Sequence, residues 1–262
     1  MRRYEMLHKN KIPILEYDTE NTAVIMPGHN SDFKFTEKAV LLFMNDEIDD
    51  YVSENKCETV GVFKKIGGDV LVYKTKHKGV EITFCKCTLG GAGAVMLLEQ
   101  LIAGGAREIV AAGCCGALID DTEGDFFIPT AALRDEGASY HYLPPARDVA
   151  LSEKVIHAIE TTLNDRGLPY RKCKTWTTDG FYRETKEMVT YRKAEDCSVV
   201  EMECASLAAC AEMRNVQFGQ LLFTADTLAD VEKYDKRTWS KDNFAFAMEL
   251  AFNAVVKVSN LG

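Results

Sequence analysis

The sequence predicts one three-layer α/β/α domain, spanning residues 1–262, around a central mixed β-sheet. Short apolar segments alternate with helical ones along the 262 residues, and no repeat or low-complexity linker interrupts them. Consecutive strand patterns between residues 60 and 87 add an antiparallel patch to a series of strands otherwise separated by helices. With 47% hydrophobic and 27% charged residues, the chain has the composition of a globular protein with a sizeable core.

The apolar patterns and their glycine punctuation give the order of the elements. We expect helices at 33–44, 91–101, 151–166, 186–194 and 243–258, and strands at 22–26, 60–63, 70–73, 80–87, 109–112, 172–178, 199–202 and 217–224. Gly104 and Gly105 follow the second of these helices, where a glycine C-cap belongs. Because ligands bind beyond the carboxyl ends of strands in such sheets, the turns that follow the strands should converge on one site.

Charge and composition argue against several function classes. A net charge of −9 disfavours a nucleic-acid backbone or an anionic membrane as partner. The first residues lack the apolar core of a signal peptide, and no run reaches the roughly 18 apolar residues of a membrane span, so we expect a cytoplasmic protein. The nine cysteines lack zinc-ribbon spacing and are interpreted as buried, reduced thiols. We expect no metal and no cofactor.

The segment Glu201-Met202-Glu203 joins a short β-branched run to a helix of small residues. A carboxylate held between a buried strand and a buried helix costs several kcal/mol unless hydrogen-bond donors satisfy it. Sugar hydroxyls are one such set of donors. The alternative is that Glu203 caps the helix that follows it.

Two further stretches suit chemistry on a heterocycle. Asp226 follows an apolar run, and a carboxyl group at a buried strand end tends to keep its proton near neutral pH and can donate it. The alternative for Asp226 is a turn or helix-cap residue. The segment 176–185 is dense in aromatic and polar residues, so Phe181 is a candidate for stacking on a flat base while Arg183 reaches its edge. Otherwise its aromatic residues are core and the rest is a solvated loop.

The glycines at 90, 91 and 93 lie between a strand and a helix. Gly91 and Gly93 match the first two glycines of the G-x-G-x-x-G pattern, but Met96 stands at the position of its last glycine. A Walker lysine is also missing, and both absences argue against a dinucleotide or nucleotide-phosphate loop. The simpler interpretation is that backbone amides face an anion at the N-terminus of the helix.

Short motifs along the chain also occur in the order of a known family. They are Ile25-Met26-Pro27-Gly28, Gly113-Cys114-Cys115-Gly116-Ala117, Gly124-Asp125-Phe126-Phe127-Ile128-Pro129, residues 134–141, Thr178-Asp179-Gly180-Phe181-Tyr182 and residues 200–205. From about Ala23 to the last helix, the chain resembles the nucleoside phosphorylase I superfamily. That superfamily includes uridine phosphorylase, the hexameric purine nucleoside phosphorylases and the methylthioadenosine/S-adenosylhomocysteine nucleosidases. The segment 135–141 looks most like uridine phosphorylase, and Asp226 looks more like the purine enzymes.

The resemblance implies catalytic and substrate-binding residues. Asp226 would protonate N7 of a purine, and Glu203 would accept hydrogen bonds from the 2′- and 3′-hydroxyls of ribose. The implied substrate-binding residues are Met202, Glu201, Phe181, Arg183, Thr178, Gly28, Cys114, Gly113 and His8. Of these, Met202 would pack on the ribose, Gly28 would offer its amide to phosphate, and His8 would reach the 5′-hydroxyl from a neighbouring subunit.

This sequence departs from the family pattern at the phosphate site. Asp32, Ala111 and Gly68 stand where phosphorylases have arginines, and Cys114 replaces a hydroxyl residue. Each charge-assisted hydrogen bond to an anion is worth about 1.5–3 kcal/mol, so phosphate binding should be much weaker. We consider Arg134, Arg183 and Arg237 as substitutes for the missing cations. Thr185 and Glu187 occupy the positions of the uracil-reading glutamine and arginine.

Cleavage of a nucleoside N-glycosidic bond is therefore expected, in nucleoside salvage and in a homodimer or larger homo-oligomer. Phosphorolysis of the uridine phosphorylase type, with inorganic phosphate as co-substrate, is the first expectation. Hydrolysis to base and free ribose is the alternative because the phosphate site is altered. A non-catalytic nucleoside-binding protein is the third.

Overall fold

The computed structural model describes residues 7–28, 33–44 and 46–258. The strands are β1 Lys38–Phe43, β2 Glu58–Phe63, β3 Val70–His77, β4 Val80–Lys86, β5 Glu108–Ala117, β6 Phe126–Asp135, β7 Asp148–Ala150, β8 Tyr170–Thr178, β9 Cys197–Glu201 and β10 Gln217–Thr227. The α-helices are α1 Asp46–Asn55, α2 Gly91–Ala103, α3 Glu153–Asp165, α4 Lys186–Ala194, α5 Cys204–Met213 and α6 Phe244–Lys257.

The described strands form one mixed sheet. Its order is β10-β6-β8-β9-β5-β1-β4-β3-β2, with β7 added beside β6. Strand β10 also pairs with β5 in parallel, so β5, β10, β6, β8 and β9 close into a ring. The interior of this ring is filled by the apolar cluster of Cys115, Phe127, Cys173, Val199 and Leu222. The predicted α/β class with a central mixed sheet is confirmed. The closure of five of its strands into a ring was not part of the prediction.

Helices cover the sheet and carry the rest of the core. Helix α6 packs over β1 and β5 and against α3, while α2 packs against α5. The small residues of α5 make the second contact a close one: a Cβ on Gly91 in α2 would lie 2.2 Å from the Ser206 hydroxyl in α5. The start of α2 is thereby fixed beside the start of α5, and both starts border the site described below.

Two predicted elements near the start of the chain are wrong. The predicted strand at 22–26 is irregular, and Val24 and Ile25 are 101% and 87% exposed. The predicted helix at 33–44 contains strand β1, whose residues 39–42 are all fully buried. A strand buried on both faces has a continuous apolar run, which periodicity alone does not distinguish from a helix.

Helix α1 and strands β6 and β7 were not predicted. Strand β6 contains Pro129, which lowers the strand signal, and the register against β8 shifts between Pro129 and Ala131. All nine cysteine thiols are free, and Cys57 and Cys114 are the two that are not fully buried. Among the described residues, no helix combines the length and the apolar character needed to cross a bilayer.

Candidate active site

A cavity of about 640 Å³ opens where β1, β5, β9 and β10 end. One part of its wall, which we name the Glu203 end, consists of Phe43, Met44, Lys86, Cys87, Glu201, Met202 and Glu203. The other part, the Asp226 end, consists of Phe181, Tyr182, Glu184, Asp226, Leu228 and Trp239. Cys114, Cys115 and Gly116 of β5 form the wall between them. The turns after these strands do converge, as expected for a sheet of this class.

Glu201 is satisfied entirely by donors of the protein. The backbone amides of Glu203 and Cys204 donate to its Oε2 at 2.7 and 2.6 Å. The hydroxyls of Thr177 and Thr175 donate to its Oε1 at 2.6 and 3.3 Å. Because the two amides lie at the start of α5, this carboxylate caps the helix. The capping role that the sequence left open for Glu203 therefore belongs to Glu201.

Glu203 makes no capping bond to α5 and faces the cavity. The amide of Gly90 donates to its Oε1 at 2.5 Å, across the interface between α2 and α5. Gly90 has a φ of +85°, a conformation that glycine adopts at little cost and that aims its amide at this carboxyl group. The group that meets the backbone amide at the N-terminus of α2 is thus a carboxyl group of the protein itself.

Glu201 and Glu203 are neighbouring buried carboxyl groups, and the ionisation of one disfavours the ionisation of the other. Burial raises the pKa of Glu203 to about 8, and the charge of Glu201 adds to this increase. Burial also raises the pKa of Glu201, while its hydroxyl and amide donors act in the opposite direction. We therefore assign the charge at neutral pH to Glu201 and the proton to Glu203.

A second pair of carboxyl groups lies at the Asp226 end. The hydroxyl of Tyr234 donates to Asp226 Oδ2 at 3.0 Å, and the Asp226 side chain is 5% exposed. Burial raises the pKa of Asp226, against the opposing effect of the bond from Tyr234. Burial and then the charge of Asp226 raise the pKa of Glu184 to about 7. This end of the cavity can therefore hold a proton near neutral pH and give it to a ligand.

Carboxyl groups dominate the charge of the cavity wall. Glu184, Glu201, Glu203 and Asp226 line it, and within the described ranges Lys86 is the one lysine or arginine that does. Burial, followed by the charge of Asp226, raises the pKa of the Cys114 thiol to about 11, so this thiol is neutral. An added anion would meet more repulsion than attraction here, and a neutral or cationic group would be favoured.

The structure brings some of the predicted site residues together at the cavity and leaves others outside it. Glu201, Met202, Glu203, Phe181, Cys114 and Asp226 line the wall. Phe181 is 43% exposed, as a side chain that stacks on a ligand at the cavity mouth would be. Arg183, Thr178, Gly113, Gly28 and His8 do not line it.

The residues outside the cavity have identifiable positions. The side chain of Thr178 accepts a hydrogen bond from the Gly180 amide at 3.1 Å. Gly113 packs closely against Phe43, because a Cβ built on Gly113 would lie 2.7 Å from the Cβ of Phe43. A Cβ on Gly28 would lie 3.6 Å from Cβ of Ala103, so Gly28 is at the far end of α2 from Gly90 and from the cavity wall.

The predicted site residues His8 and Arg183 are both exposed, in an irregular segment and in a short 3₁₀ helix respectively. Two other arginines considered for the phosphate site are committed elsewhere. Arg134 is buried and donates to the Ser139 hydroxyl and to the carbonyl oxygens of residues 143 and 144. Arg237 pairs with Asp121 at 2.6 Å. Asp32 lies outside the described residues.

The turn between β1 and α1 takes the place that the sequence assigned to Pro27 and Gly28. Met44 follows β1 and lines the cavity, and α1 begins two residues later. The first turn of α1 carries Asp46, Glu47 and Asp49, and no lysine or arginine occurs between residues 44 and 55. Acidic residues suit the N-terminus of a helix and do not attract a phosphate.

Several wall residues were missed from the sequence. Glu184 belongs to the aromatic and polar segment 176–185, yet nothing in its local pattern separates it from its neighbours. Lys86 ends a strand, and Trp239 lies in the loop after β10. Gln220 lies inside β10, and its side-chain oxygen is buried without a hydrogen-bond partner in the described part of the chain. Gln220 and Trp239 reach the cavity through β10, whose pairing with β5 closes the sheet and has no local signal in the sequence.

Thr185 and Glu187, at the positions of the uracil-reading residues, also lie outside the cavity wall. The Thr185 side chain accepts a hydrogen bond from the Met188 amide at 3.3 Å and so caps α4. Thr185 therefore stabilises the N-terminus of α4.

Comparison with known proteins identifies relatives of this site and fold. A family model described as the phosphorylase superfamily matches residues 37–258. A guanosine phosphorylase of Halorubrum lacusprofundi is 27% identical over 198 residues, which are 70% of this chain and 79% of that protein. A uridine phosphorylase of Thermococcus kodakarensis is 34% identical over 112 residues, 41% of this chain and 39% of that protein. The family model thus covers the chain from residue 37 into the last residues of α6 and beyond.

Solved structures share the fold. A uridine phosphorylase from Vibrio fischeri superposes with a TM-score of 0.73 at 20% identity, over 92% of this chain and 99% of that one. A purine nucleoside phosphorylase from Toxoplasma gondii gives 0.72 at 19% identity, over 90% of this chain and 96% of that one.

Proposed function

The chain belongs to the phosphorylase superfamily, and from this membership and the charge of its cavity we propose that it cleaves purine nucleosides by hydrolysis. In this reaction the N-glycosidic bond breaks, a water oxygen bonds to C1′ and loses a proton, and the base leaves with a proton on nitrogen. The products are the free base and ribose.

The observation that supports hydrolysis is the excess of carboxyl groups on the cavity wall. Among the described residues of the wall, the charged groups are one lysine, Lys86, and four carboxyl groups, those of Glu184, Glu201, Glu203 and Asp226. Phosphate carries one or two negative charges near neutral pH and needs several charge-assisted hydrogen bonds, each worth about 1.5–3 kcal/mol. Water needs no such bonds, and the first turn of α1, which begins two residues after Met44, is acidic and carries no lysine or arginine.

In the proposed mechanism the Glu203 end holds the sugar. Met202 packs on the ribose, and Glu203, after releasing its proton to solvent, accepts hydrogen bonds from the 2′- and 3′-hydroxyls. Positive charge develops on the ribosyl ring as the glycosidic bond breaks, and this charge favours the ionised form of Glu203. The Gly90 amide, 2.5 Å from Glu203 Oε1, fixes the orientation of the carboxylate before the reaction.

The Asp226 end holds the base. Phe181 stacks on it, and Asp226 donates its proton to N7, so that the base leaves as a neutral molecule. Burial keeps a proton on Asp226 at a higher pH than in water, and the bond from Tyr234 fixes which oxygen faces the base. Protonation at N7 requires a purine, because a pyrimidine has no such atom.

Phosphorolysis is the second candidate. The guanosine and uridine phosphorylases among the relatives support it, and Lys86 supplies one positive charge at the Glu203 end. A homodimer is part of either proposal. Tyr182 at the cavity mouth is 93% exposed, so a second copy of the chain that covers this mouth would exclude water from the base.

The decisive experiment compares nucleosides with and without inorganic phosphate. Purified protein is incubated with adenosine, inosine, guanosine and uridine, and the sugar product is identified. Free ribose from purines at an equal rate in both conditions is expected. Ribose 1-phosphate formed only with phosphate would replace hydrolysis by phosphorolysis. Binding of a nucleoside by calorimetry without turnover of any would leave a binding protein.

A further inference from the structure

A second cavity of about 370 Å³ adjoins the first at the Asp226 end. Both cavities share the whole Asp226 end, which is Phe181, Tyr182, Glu184, Asp226, Leu228 and Trp239. The second cavity continues between Lys186, Val189, Asp230, Val231 and Tyr234. No residue of the Glu203 end lines it. The second cavity therefore extends the base site in the direction away from the sugar.

Its position relative to the base follows from the proposed function, on which this inference rests. With N7 of a purine at Asp226, the edge of the base that carries N7 has C8 at one end, near the ribose, and the exocyclic substituent on C6 at the other end, far from it. Because the second cavity lies on the side away from Glu203, it faces the substituent on C6. We propose that this cavity is a subsite for an apolar group carried on the 6-amino nitrogen of a purine nucleoside.

The lining residues fit such a group. Val189 is buried, and Val231 and Leu228 pack against its cluster, so one wall is apolar. Glu184 lies at the junction of the two cavities, beside Asp226, where an oxygen of its carboxyl group can accept a hydrogen bond from the remaining N–H of a 6-alkylamino group. A 6-oxo group has no N–H to donate to Glu184, and it carries no apolar substituent that could pack against Val189 and Val231.

The sizes of the two cavities agree with this division. Ligand sites for whole small molecules occupy roughly 300–1,000 Å³, so the first cavity accommodates a complete nucleoside. The second is then additional space, bordered by apolar side chains whose burial would favour binding of an apolar group.

The test compares N6-benzyladenosine with adenosine in the full-length protein. We expect kcat/KM for the benzyl compound to be at least ~10-fold higher, equivalent to about 1.4 kcal/mol. Val231→Trp fills the second cavity and should remove this advantage while adenosine cleavage stays within about two-fold. Lys233→Trp is the matched control, because it adds the same bulk to the same loop but lies outside the second cavity. Val231→Asp, which makes the wall polar, replaces Val231→Trp if the latter does not fold.

Binding of the free bases makes the inference independent of turnover. N6-benzyladenine and adenine are titrated by calorimetry into the wild type and both variants. A preference for the benzyl base that Val231→Trp abolishes and Lys233→Trp preserves supports the subsite. An equal or weaker affinity for the benzyl base in the wild type overturns it. If the subsite is found but no nucleoside is cleaved, the proposed function fails and the subsite stands.

Discussion

The two ends of the cavity each contain a pair of carboxyl groups, but the protein holds the two pairs in different ways. At the Glu203 end, Glu201 accepts four hydrogen bonds from the protein, and Glu203 takes one more from Gly90. At the Asp226 end, Tyr234 donates the one side-chain hydrogen bond to Asp226 that the described residues provide. The carboxyl groups of the Glu203 end are thus oriented by donors of the protein, and those of the Asp226 end have fewer such donors.

The comparison shows how an acidic residue becomes available for chemistry. Glu201 is two residues from Glu203 and equally buried, yet its oxygens are occupied by the start of α5. Because Glu201 performs the capping, Glu203 is left with a surface that faces the cavity. Two carboxyl groups only two residues apart can therefore differ in their environment: Glu201 caps α5, and Glu203 is open to the cavity.

The largest expected effect is that of Glu203→Gln on turnover. The amide keeps the shape but cannot become an anion when positive charge develops on the sugar, so kcat should fall by ~10³-fold, about 4 kcal/mol. Steady-state release of base from inosine measures this, and circular dichroism verifies the fold. Turnover within ten-fold of the wild type would remove Glu203 from the sugar site.

Asp226→Asn tests the other pair and should have the next largest effect. Loss of a positioned acid costs about 10²-fold, and only for bases that leave through N7. We therefore expect a large loss with inosine and guanosine, and none with any uridine cleavage that the wild type shows. An equal loss with purines and pyrimidines would indicate that Asp226 has a structural role, through its bond with Tyr234.

Glu201→Gln should act on stability rather than on the chemical step. An amide has one acceptor oxygen in place of two, and its NH₂ group would face a backbone amide or a threonine hydroxyl, which costs ~2 kcal/mol. Urea unfolding of this variant beside Glu203→Gln measures the difference. If Glu203→Gln proves the more destabilising of the two, the division into a structural and a functional carboxylate is wrong.

The site was predictable where its signal is local. Glu203 and Asp226 each follow an apolar run, and Gly90 precedes a helix, so the sequence alone indicates a strand end and the turn after it. Strand β1 was mistaken for a helix because it is buried on both faces, and this error placed the first turn of the site at Gly28 instead of Met44.

What could not be predicted depends on closure of the sheet. Gln220, in the interior of β10, joins Lys86, at the end of β4, in the cavity wall through the pairing of β10 with β5. Glu184 directly follows a short 3₁₀ helix, where its sequence neighbours do not indicate a cavity. The division of labour between Glu201 and Glu203 depends on which oxygen meets which donor, a matter of ångströms that residue spacing does not encode.

The smallest expected effect is the pH dependence of stability, to which both pairs contribute. Burial raises the pKa of Glu203 to about 8 and that of Glu184 to about 7. An unfolded glutamate has a pKa near ~4.3, so each group stabilises the fold fully below that pH, and its contribution is lost as the pH rises through the folded pKa. The protein without ligand should lose ~1 kcal/mol or more between pH 5 and 8.

Two variants divide this loss between the pairs. Glu203→Gln should remove the part that continues up to pH 8, and Glu184→Gln should remove the part that is complete near pH 7, each leaving the other in place. Urea unfolding at half-unit pH intervals measures the slopes. Stability that rises with pH over this range in the wild type would mean that both carboxyl groups are ionised in the folded protein. Glu184 would then hold no proton beside Asp226 near neutral pH, so purine release would depend on the proton of Asp226 alone.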